Sequence, residues 1–117
     1  MASSRALPSA RPEMPAEIPD VLLTLILPID IAEAVEDLLL ARPDLVRGFT
    51  TSDADGHGSV VPLVEASELV TGHSPRKLIR TVGNETAMRN LMADIRTQLP
   101  QANIYYWLVP VIEVGKL

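Results

Sequence analysis

The chain has 117 residues, 47% of them hydrophobic and 21% charged, enough for one domain with one modest core and unlike a disordered composition. Ten Lys and Arg against fifteen Asp and Glu leave a formal charge of −5, which argues against a nucleic-acid partner. With no cysteine there is no disulfide framework, thiolate metal site or cysteine nucleophile, and no apolar run approaches the ~18 residues of a membrane span.

Residues 1–20 hold Pro8, Pro12, Pro15 and Pro19 among Ser and Ala and lack the apolar stretch of a secretory signal. They read as a flexible tail, which makes 21–117 the folded unit and the cytoplasm the expected location. Residues 21–27, apolar except for Thr24 and bounded by Asp20 and Pro28, read as a buried strand. Asp30 with Glu33 three residues on fits a helix-starting capping box. Ile31, Ala34, Val35, Leu38 and Leu39 follow at helical spacing, and Pro43 stops that helix. Residues 45–52, with Val46, Phe49 and two threonines, predict a second strand.

Residues 53–75 contain Gly56, Gly58, Pro62, Gly72 and Pro75 and little periodicity. They read as one long loop, and loops beyond ~12–15 residues in small domains are commonly functional. A third strand is expected over 76–82. Asn84 is placed to cap a second helix, with Met88, Leu91, Met92, Ile95 and Leu99 on its buried face and Pro100 at its end. Residues 104–114 are rich in aromatic and β-branched side chains and predict a fourth strand, with Pro110 marking an edge or a bend.

The order β-α-β-loop-β-α-β with right-handed crossovers predicts an α+β, ferredoxin-like βαββαβ fold: a four-stranded antiparallel sheet with both helices on one face. The strand at 21–27 is apolar on both alternating sets, so the other face also needs cover. A second copy of the chain is the simplest source of it.

Several residues in and beside the loop could carry chemistry. Gly56 and Gly58 form a Gly-x-Gly step that can turn sharply or offer N–H groups to an anion. Arg76, Lys77 and Arg80 follow the loop and suit a phosphate or carboxylate; the plain alternative is an exposed strand face. Asp53-x-Asp55-Gly56-His57-Gly58 resembles the start of a calcium loop, but Val64 stands where the bidentate Glu is required. A zinc or copper site would instead draw on His57 and His73 with Asp53, Asp55, Glu65 or Glu68; the plain alternative is solvated loop residues. Alternation puts Tyr105 and Trp107 on one face and Tyr106 on the other, more suited to packing than to base stacking. No Ser-His-Asp spacing, Walker loop or His-Glu-x-x-His is present, so the chain is not expected to be an enzyme.

The stretch Gly48-Phe49-Thr50-Thr51-Ser52-Asp53-Ala54-Asp55-Gly56-His57-Gly58 and the segment Tyr106-Trp107-Leu108-Val109-Pro110-Val111-Ile112-Glu113-Val114-Gly115 resemble the nitrogen-regulatory PII superfamily. Within it they are similar to a small PII-like family of proteobacteria, often encoded near heavy-metal efflux systems. The resemblance covers essentially 21–117. It implies a homotrimer with effector sites in the clefts between subunits, at Gly56, Gly58, Arg76, Lys77 and Arg80. It also implies a T-loop over 53–75 that contacts a partner such as a transporter or a metal-linked protein.

An adenine nucleotide or a divalent metal ion is the implied effector. The chain departs from PII in lacking a tyrosine in 53–75 and in carrying Pro100-Gln101-Ala102-Asn103 where PII has a phosphate-cradling Gly-Asp-Gly-Lys. The basic Arg-x-Arg-Thr-Gly segment of the PII C-terminus is also missing. Nucleotide affinity is therefore expected to be weaker than in PII. Two other readings are a divalent-metal-binding protein like the CutA trimers and a small acyl or phosphoryl hydrolase.

Overall fold

A computed structural model describes residues 18–57 and 74–117. The strands and helices follow the order β1 (Val21–Pro28), a 3₁₀ turn (Ile29–Ile31), α1 (Ala32–Leu40), β2 (Thr50–Gly56), β3 (Ser74–Gly83), α2 (Glu85–Gln98) and β4 (Tyr105–Pro110). The sheet runs β2-β3-β1-β4. All three pairings are antiparallel, with Leu25 opposite both Ile79 and Tyr106. This is the ferredoxin-like arrangement.

The period-2 pattern of β1 fixes which face is the core. Leu23, Leu25 and Leu27 are at most 2% exposed and join Ile79 of β3, Val35 and Leu39 of α1, and Met88, Leu91, Met92 and Ile95 of α2. Burying a side chain of this size stabilises by roughly 1.5–3 kcal/mol. Helix α2 begins where the sequence places it. Asn84 is extended (φ −81°, ψ 158°), and its side-chain oxygen accepts a hydrogen bond from the Ala87 N–H at 2.9 Å.

Helix α1 begins differently. Asp30 is not its cap: it lies inside the 3₁₀ turn, the cap position is Ile31, and no side chain bonds there. Pro28 ends β1, and the Ala32 N–H bonds back to the Ile29 carbonyl, so the tight turn takes up the residues that a capping box would have used.

The second strand is also displaced, from the expected 45–52 to Thr50–Gly56. Leu45 and Val46 instead fold back on the end of α1, their N–H groups both donating to the Arg42 carbonyl at 3.0 and 2.9 Å. Val46 thereby enters the core. Asp53 to Gly56, read from sequence as loop, are paired strand, and β3 begins at Ser74. The last strand is shorter than the expected 104–114. It ends at Pro110 and pairs only with β1, so it is a sheet edge.

On the face away from the helices, register sets Val82, Leu22 and Val109 in one row, Arg80, Thr24 and Trp107 in the next, and Leu78, Ile26 and Tyr105 in a third. Tyr105, Trp107 and Val109 remain 39, 47 and 39% exposed.

Candidate functional site

The sequence-derived candidates gather at the end of the sheet where β2 and β3 project toward the segment between them. The β2 strand is polar, Thr50 to Gly56, and forms an exposed edge, a composition that discourages strand-to-strand aggregation. Its ladder with β3 runs from Thr50 opposite Arg80 to Gly56 opposite Ser74. Gly58 and His73 lie outside the described residues.

Arg76, Lys77 and Arg80 do not form one cluster. Strand alternation sends Arg76 and Arg80 to the open face and Lys77 to the helix side. The Lys77 Nζ pairs with Asp53 Oδ1 at 3.0 Å. Asp53 is 86% exposed, so water screens this pair and its worth is about 0–1 kcal/mol. Arg76 differs sharply, being 1% exposed opposite Pro28 and Ala54. It lies four residue steps along the strand from Arg80, roughly 13 Å of backbone.

The metal expectation rested on His57 with His73. His57 directly follows β2. Among the described residues no group of three or more His, Asp or Glu comes together.

Two features were not singled out from the sequence. At the end of α1, Arg42 donates to both Asp44 oxygens, at 3.0 and 2.9 Å, and also to Asp94 of α2, clasping the two helices. The hydrogen bond with Asp44 raises the Arg42 pKa, and the same bond lowers that of Asp44. The second feature is a cavity of about 350 Å³ between α2 and β4, floored by Leu25, Met92, Ile95 and Leu99.

The rim of that cavity includes Gln101 and Asn103, which have φ of 60° and 57°. Left-handed backbone is tolerated by Asn but costs a residue such as Gln about 1–2 kcal/mol. The sequence offered one clue, a connection of only a few residues without glycine after Pro100, and it served there only as a departure from the PII phosphate cradle.

Comparisons with solved structures agree with this ferredoxin-like fold. The fold is similar to a DUF3240 family protein from Shewanella baltica, at TM-score 0.67 and 19% identity, over 84% of this chain and 96% of that one. It is similar to CPII, a nitrogen regulatory PII-like protein from Thiomonas intermedia bound to ADP, AMP and bicarbonate, at TM-score 0.63 and 20% identity, over 86% and 97% of the two chains. It is also similar to the periplasmic divalent cation tolerance protein CutA from Archaeoglobus fulgidus, at TM-score 0.60 and 8% identity, over 85% and 89%. Identities this low establish the fold alone. Residues 18–117 match the family described as protein of unknown function DUF3240, and the chain belongs to that family. No curated protein matches the sequence.

Proposed function

We propose that this protein is a trimeric, cytoplasmic PII-like regulator, binding an adenine nucleotide between subunits and signalling to a partner protein through 53–75 without turning the nucleotide over. The observation that carries this reading is the placement of Arg76 and Arg80. Both lie on the side of the sheet away from the helices, where a neighbouring copy would meet it, with Arg80 exposed and Arg76 buried at the foot of the ribbon. Gly56 closes the described ladder beside them, Gly58 follows two residues on, and Lys77 holds Asp53 in place from the other side.

A ligand anchored there would shift the loop only by binding one arrangement more tightly than another. A coupling of about 1–3 kcal/mol is enough to alter partner affinity noticeably. The likeness to CPII supports an adenine nucleotide as the effector. Pro100 to Asn103 contain neither the glycines nor the lysine of a phosphate cradle, which supports weaker binding than in PII itself. A transporter or a metal-linked protein is the partner that the family resemblance favours.

Light scattering and calorimetry on the full chain test the reading. The expected mass is about three times that of one chain. ADP, AMP or ATP is expected to bind saturably, with Arg80→Ala weakening binding about tenfold at unchanged mass, as loss of a charge-assisted contact does. Bound nucleotide is expected to slow proteolysis within 53–75. A stable single-chain mass, or no nucleotide binding at millimolar concentration, would overturn it.

A further inference from the structure

The cavity between α2 and β4 stands apart from the loop base. Tyr106 and Leu25 line it from the helix side of the sheet, whereas Arg76 and Arg80 belong to the opposite face. Its volume of about 350 Å³ lies within the ~300–1,000 Å³ of small-ligand sites, which pair an apolar lining with a few convergent polar groups.

The floor, Leu25, Met92, Ile95 and Leu99, is wholly apolar. Arg96 is the single charged residue of the lining, and no carboxylate joins it there. It projects from the last turn of α2 on an exposed position, and among the described residues it makes no ion pair. Gln101 and Asn103 belong to the lining and are exposed, on a connection held in left-handed backbone at both positions. Unfavourable backbone conformations persist only where the surrounding structure over-determines them, and they concentrate at ligand sites.

We propose that this cavity is a second binding site, for a monocarboxylate with an apolar body. The chain of such a ligand would lie on Leu25, Met92, Ile95 and Leu99. Its carboxylate would accept from the Arg96 guanidinium, with the Gln101 and Asn103 amides completing its hydrogen bonds. One guanidinium balances one negative charge, so a diphosphate or triphosphate would be left under-neutralised here. A neutral hydrocarbon would gain nothing from the Arg96 charge. Gln101 and Asn103 lie on the connection that stands where PII cradles phosphate, so the two readings share those residues. Arg96→Gln nevertheless tests the cavity and Arg80→Ala the loop base, and either can fail without the other.

Sodium octanoate, sodium acetate and 1-octanol are the probes, titrated below micelle-forming concentrations into the full chain and followed by backbone amide NMR. Octanoate is expected to give saturable shifts at Leu25, Ile95, Tyr106 and Asn103, and acetate none at the same concentrations. Because Arg96 is exposed, Arg96→Gln is expected to leave the fold intact. It should weaken octanoate about tenfold while leaving the response to 1-octanol unchanged. Absence of saturable octanoate shifts at these residues overturns the proposal. Equal octanoate affinity in wild type and Arg96→Gln overturns the carboxylate assignment and with it the proposal.

Discussion

On the helix-covered face of the sheet, Leu23, Leu25 and Leu27 are at most 2% exposed; on the other face Thr24 and Arg76 are buried, but the apolar Leu22 and Ile26 are only half-buried and Trp107 is 47% exposed. The strands are the same and the hydrophobicity is similar. What differs is the partner: one face has two helices of its own chain, and the other has none among the described residues. Apolar content in a strand therefore reports that burial is wanted, not which chain supplies it. The covered face answers for folding, and the open face is available for association.

The largest effect separating these roles is expected on the covered face. Leu23→Ala removes a fully buried side chain and should cost about 2–5 kcal/mol in chemical denaturation, since the space it leaves is only partly refilled. Leu78→Asp, on the open face beside Ile26, should instead leave far-UV circular dichroism near native and reduce the particle mass to that of one chain. If it unfolds the protein as Leu23→Ala does, both faces answer for folding.

A smaller contrast lies between the two helix starts. Asn84→Ala should cost about 1 kcal/mol by removing the acceptor for the Ala87 N–H. Asp30→Ala should cost less, because Asp30 makes no capping bond.

The smallest effect concerns Asp44. Its pKa is lowered in the folded protein by the hydrogen bond from Arg42, so its contribution is present above the ordinary carboxylate value and is lost as pH falls through the folded value. Thermal melts should show a slight loss of stability below about pH 4 that Asp44→Asn lacks, and salt should shrink it because the pair is exposed.

Much of this was legible in the sequence where a single local rule governs. The apolar alternation of β1, the Asn84 cap and Pro100 beyond α2 each act within a few residues, and the fold class follows from their order. The second strand was misplaced because Leu45 and Val46 have strand-like side chains but use their N–H groups to close the turn after α1. That choice is set by packing onto the core rather than by propensity. Arg76, Lys77 and Arg80 looked like a cluster because they are near in sequence, yet a strand separates neighbours to opposite faces. The cavity was invisible because its lining draws on β1, α2 and β4 together.

Asp20 ties three parts of the fold at one corner. Its N–H donates to the Gly83 carbonyl, its carbonyl accepts from Val111, and its carboxylate accepts from the Glu85 N–H. The chain thus enters the sheet and leaves it at the same end, while the β2–β3 ribbon and the α2–β4 cavity occupy the other. The molecule has a tethering pole and a working pole. The chain's entry at Asp20 and its exit at Val111 therefore lie a full strand length from both candidate sites. Strain or load applied at that corner acts through Asp20, whose three backbone and side-chain bonds join both ends of the sheet-forming chain to the start of α2.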